Sequence, residues 1–122
     1  NQLDLFVQGD IFIGVLGSAF INQIFMVPHS VILSAMPPYM FGPFFENLSY
    51  FTRIHYVSLF NNSAPIPDEC KRFINYIGEI GYNLDCHMKL YNNNIYIPPG
   101  LVYHHLVVAR NYIYNHKYHI LF

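Results

Sequence analysis

Charge is what this chain has least of. Asp, Glu, Lys and Arg make up 11% of its 122 residues, against roughly a quarter in ordinary soluble domains. Six Lys and Arg stand against seven Asp and Glu, for a formal net charge of −1. So few bases cannot build the cationic stripe that phosphate backbones require, which excludes nucleic-acid partners. Trp is absent. The glycine-rich and histidine-rich signatures of dinucleotide sites, phosphate loops, nucleophile elbows and zinc proteases are absent as well. Cysteine is limited to Cys70 and Cys86. Two cysteines do not make a disulfide scaffold, and two free thiols are the expectation, with a bridge as the alternative.

The deficit of charge is concentrated. From Ile11 to Phe45 there is no Asp, Glu, Lys or Arg. Ile11–Val27 lies at the short edge of the ~20 residues that cross a bilayer as a helix, and it lengthens to Met36 if Pro28 is taken as a kink. On a helix, Gly14, Ser18 and Asn22 fall at i, i+4 and i+8. They form a small and polar stripe of the kind that packs lipid-buried helices together. The alternative is a buried element of a soluble core in which the glycines mark bends. Asp4 and Asp10 stand where a secretory leader would carry bases, so the run is not read as a signal peptide. Pro37-Pro38 and Gly42-Pro43, set among Tyr39, Phe41, Phe44, Phe45 and Tyr50, read as an aromatic hinge that ends the region.

The remainder is more polar. Leu48–Phe60 is ambiguous, leaning to strand by its β-branched and aromatic content and to helix by its length. Pro67–Ile80 reads as an amphipathic helix, opened by Asp68 and Glu69 and capped by Gly81. Asn92-Asn93-Asn94 and Pro98-Pro99-Gly100 are turn signals. Leu101–Phe122 then runs without Gly or Pro and is expected to be helical.

Seven histidines are the main store of chemistry, and four fall in the last stretch: His104, His105, His116 and His119. On a helix, His105, Tyr112, His116 and His119 share a face, and the 116/119 pair has the i, i+3 spacing of metal-ligand pairs. Tyr103-His104-His105 resembles, over those three residues, the Tyr-preceded His-His element of fatty-acid elongases. The flanking motifs and multiple spans of those enzymes are absent, so that activity is not expected. Arg110 and Lys117 repel a nearby metal ion. The histidines are therefore expected to be interfacial, as groups that tolerate half-burial and bond carbonyls. Asp85-Cys86-His87 lacks the converging ligands of a metal site and the base geometry of a nucleophile. Asn47-Leu48-Ser49 and Asn61-Asn62-Ser63 match the N-glycosylation pattern, which carries weight only in a secreted chain.

The expected fold is mainly α and membrane-associated. Residues 1–45 would be a hydrophobic segment contacting membrane or partner, with its hinge, and residues 46–122 an amphipathic peripheral domain. The expected role is that of a non-catalytic accessory subunit in a large, membrane-embedded assembly, such as that of a mitochondrial inner membrane. Neighbouring subunits and lipid would be its partners, and no cofactor or metal is expected. The alternatives are a soluble α+β domain binding a lipophilic or aromatic ligand, and a His-ligated metal or haem protein.

Overall fold

The charge-free stretch folds as strand, crossover and strand. In the computed structural model, which describes residues 1–37, 44–60, 66–73, 84–91 and 95–118, Ile11–Val15 is β1 and Val31–Ala35 is β2. A 3-10 helix over Ser18–Phe25 lies between them. This overturns the mainly α, membrane-spanning expectation. Among the described residues, no helix is long and apolar enough to cross a membrane. The physical reason differs along the run: β2 is a central parallel strand buried on both faces and so as continuously apolar as a membrane helix, whereas β1 and the crossover keep apolar side chains exposed. Here Gly14, Gly17 and Pro28 interrupt the run before a long helix can form.

Around this pair the chain forms a small mixed α/β architecture. Gln2–Gln8 is α1, capped by the Asn1 side chain accepting from the Leu3 N–H at 3.1 Å. Phe44–Thr52 is α2 and His55–Leu59 is β3. The ambiguous Leu48–Phe60 segment is thus half helix and half strand. It divides at Arg53, which takes a left-handed backbone (φ 59°) while the Ile54 N–H reaches back to the Ser49 carbonyl at 3.0 Å. That geometry stops a helix, and glycine normally supplies it. The three strands are all parallel in the order β1-β2-β3. Val31 lies opposite Ile11 on one side and His55 on the other.

Both faces of the central strand are covered, by different parts of the chain. On one face Phe6, Phe20, Met26, Ile32 and Ile54 form a buried cluster joined by Phe12, Leu16, Phe45 and Tyr56. Phe20 is its hub, meeting Phe12, Phe45 and Tyr56 edge to face. Both crossovers, the Ser18–Phe25 helix and α2, lie on this side. Gln23 is buried between them, donating to the Phe45 carbonyl at 3.3 Å and accepting from the Ser49 hydroxyl. On the other face Val31, Leu33 and Leu59 pack against Ala109 and Ile113.

Those last two residues belong to a helix over Pro99–Ile113 that follows a short helix, Leu84–Tyr91. These are α4 and α3 respectively, and a π-helical turn over Tyr114–Tyr118 extends α4. The helix anticipated after Pro98 therefore forms, with Pro99 at the start, where a missing N–H costs nothing. Of the expected helix Pro67–Ile80, Asp68–Phe73 is 3-10, and 74–80 with Gly81 lie outside the described residues. The hinge residues 38–43 and the turn 92–94 also lie outside them.

Cys70 and Cys86 are joined, across a sequence separation of 16, so the expectation of free thiols is corrected. The bridge ties the Asp68–Phe73 helix to α3. On the same seam Lys89 pairs with Glu69 at 2.5 Å and with Asp85 at 3.1 Å.

Candidate functional site

Parallel strands place their first residues side by side, and here those positions carry the polar side chains. Asp10 precedes β1, His29 and Ser30 precede β2, and His55 opens β3. The backbone locks them in place: the Val31 N–H donates to the Asp10 carbonyl at 2.8 Å, and the His55 N–H to the Ser30 carbonyl at 2.9 Å. The end of α4 meets this row with Tyr112, and the turn after it adds His116 and Lys117.

The rings form a stack. His55 lies on Tyr112 with ring centroids 4.5 Å apart, and Tyr112 lies on His116 at 4.2 Å. The His29 Nδ1 and the Tyr112 hydroxyl are 3.2 Å apart and share a hydrogen bond. His116 Nδ1 is 2.9 Å from the Tyr112 carbonyl oxygen. A carbonyl only accepts, so Nδ1 of His116 carries the proton. Burial, and then repulsion from His116, lowers the His55 pKa from its ordinary value, which favours the neutral imidazole. Lys117 closes the site by pairing with Asp10 and donating to the Ser30 hydroxyl at 3.2 Å.

His29 is held there by an uncommon backbone. It has φ 68°, and the Ser30 N–H donates to the Val27 carbonyl at 3.1 Å. This makes a turn with Pro28 second and His29 third, a position that favours glycine or asparagine. The His29 N–H also donates to the carbonyl of Arg53, itself left-handed, at 2.8 Å. Each such residue costs of order 1 kcal/mol or more.

A cavity of about 270 Å³ opens beside the stack, lined by Asp10, Ile11, Arg110, Ile113 and Tyr114. Asp10 belongs to both features. Elsewhere, the Tyr56 hydroxyl is buried with no hydrogen-bond partner in normal geometry among the described residues. Burial pushes its phenol above the ordinary value, Ser34 opposes that shift, and Glu46 adds to it.

Of the residues singled out in the sequence, the structure unites Tyr112 and His116. His104 is exposed and His105 half-buried farther back on α4, touching each other edge to face. His119 lies outside the described residues. The Gly14, Ser18 and Asn22 stripe is not a helix face. Gly14 is in β1, and Ser18 and Asn22 are in the 3-10 helix. Gly14 does pack closely, since a Cβ there would meet the Phe12 and Phe20 rings at 3.1 to 3.3 Å.

His29 and His55 were missed as partners of Tyr112, and Asp10 as the partner of Lys117. The one available signal was that a polar group stands at the head of each of three apolar segments. Among the described residues, no group of three or more His, Cys, Asp or Glu converges to hold a metal ion. The arrangement can hold and pass protons and can receive a hydrogen-bonding partner. No protein-family model matches this chain, and no curated protein or solved structure matches it significantly.

Proposed function

We propose that the protein is a non-catalytic structural subunit of a larger assembly, and that its β1 edge is where a neighbouring polypeptide docks as a further strand. The observation that carries this is the edge position of β1, which pairs with β2 alone among the described residues. The strand has no charge and no proline, yet Ile13 is 47% and Val15 59% exposed. The sheet ladder alternates from the Asp10 carbonyl, which accepts from Val31, to the Leu16 N–H, which donates to Ala35. The backbone groups of Ile11, Ile13 and Val15 therefore face away from β2. Natural edges are normally blunted by charge, proline or a covering element. Strand addition satisfies such backbone groups directly. A polypeptide is a better neighbour than lipid, because an open strand edge in hydrocarbon leaves each group unsatisfied at several kcal/mol.

Hydrogen exchange tests this reading. The Ile13 and Val15 amides should exchange rapidly in the isolated chain and be protected in the native assembly. Val15→Lys should abolish co-fractionation with that assembly while leaving the circular dichroism unchanged. Equal exchange in both states would sink the reading.

A second reading rests on the cavity beside Ile11 and Ile113. Its apolar lining by Ile11 and Ile113, with Arg110 also lining it and Asp10 held by Lys117, suits a small apolar carboxylate. An aromatic carboxylate should then raise the melting temperature of the wild type and not of Arg110→Ala. Equal shifts would count against it.

A further inference from the structure

We propose that Asn47 carries an N-linked glycan. Asn47-Leu48-Ser49 has the required pattern, with no proline in the middle. A pattern alone is weak in an asparagine-rich chain, and the structure adds two independent observations. The first is the Cys70–Cys86 disulfide, which belongs to an oxidising compartment such as the lumen in which such glycans are attached. The second is the setting of Asn47 on α2. The helix buries Ser49 against Gln23 and turns Asn47 outward.

Tyr50 and Phe51, at i+3 and i+4, share that outer face. They are 82% and 80% exposed, and their rings meet at 5.7 Å. Two bare aromatic rings on a helix face are an unusual thing to leave in water. The C–H face of a sugar anchored one turn away can cover them. On this account the α2 face is sheathed by carbohydrate, while the β1 edge remains for protein.

The chemistry requires a lipid-diphosphate-linked oligosaccharide as donor. The Asn47 side-chain nitrogen bonds to C1 of the first sugar. The C1–O bond to the diphosphate breaks, the lipid diphosphate leaves with that electron pair, and the amide nitrogen loses one proton to a base. The Ser49 hydroxyl that completes the acceptor is 3% exposed as a residue, and its one proton is already engaged between the Gln23 side-chain oxygen and the Phe45 carbonyl. Transfer therefore precedes the docking of α2 and belongs to the chain as it is being made. The proposal places the protein in the secretory pathway rather than in the organellar inner membrane anticipated from composition.

Peptide mapping of the native protein decides it. Treatment with peptide-N-glycosidase in heavy-oxygen water converts a glycosylated Asn to a labelled Asp. Trypsin cleavage at Arg53 separates Asn47 from the second pattern at Asn61. The expected result is label at Asn47, together with loss of one glycan from Asn47→Gln when the chain is expressed through a eukaryotic secretory pathway. Ser49→Thr should keep the glycan. An unlabelled Asn47 in the native protein overturns the proposal, as does an Asn47→Gln chain with the wild-type glycan count.

Discussion

Gly14, read in the sequence as part of a helix-packing stripe, lies in a strand. Its lack of a side chain matters for close packing, but the close neighbours are the rings of Phe12 and Phe20 rather than another helix. Because Phe20 is the hub of the aromatic cluster, its ring cannot retreat without disturbing Phe45 and Tyr56. Gly14→Ala should therefore destabilise the protein by about 1–3 kcal/mol, the usual cost of overpacking a filled core, as read by chemical denaturation. His55 sets a different kind of constraint. Its folded-state pKa lies below the ordinary value of 6.5. On acidification the unfolded chain takes up this proton before the folded chain does. Stability should be unaffected by His55 at neutral pH and should fall as the pH drops below about 6.5. His55→Phe keeps a ring against Tyr112 and should flatten that dependence in thermal melts across the acid range.

At the scale of elements, patterns governed by local chemistry were legible and those governed by pairing were not. The helix after Pro98 could be seen because Pro and Gly punctuate the chain there. The α2–β3 segment looked ambiguous because it contains both elements, and the boundary falls on Arg53, a residue type that does not advertise a left-handed turn. The span-like reading of Ile11–Val27 failed because an apolar run by itself does not separate a lipid-facing helix from a strand and crossover of a parallel sheet. The ring stack was half visible: Tyr112 and His116 lie one helical turn apart, whereas His29 and His55 join them only through strand register. The disulfide stood only as the alternative to free thiols for the same reason, since pairing is set by proximity. Closing a loop of this length should contribute about 3 kcal/mol. Replacing Cys70 and Cys86 together with Ser should lower the unfolding free energy by about that amount, with the loss centred on α3 in hydrogen exchange.

For the whole molecule, the order of the strands in space repeats their order in the chain. Each new strand pairs with the one just synthesised, so the sheet can lengthen as the polypeptide emerges, without waiting for distant partners. Both crossovers lie on one side, and that side is sealed as soon as α2 is in place. The opposite side is not. Val31, Leu33 and Leu59 must wait for Ala109 and Ile113, which arrive some fifty residues after β3 is complete. During that interval the nascent protein presents a bare apolar sheet face, the kind of surface that aggregates or recruits chaperones. A chain ending before Pro99 should bind an apolar fluorescent dye strongly and precipitate, and adding the 99–118 segment as a separate peptide should suppress both. The last helix is thus a timing device as well as a cover: translation has to reach it before the rest of the protein is safe in water.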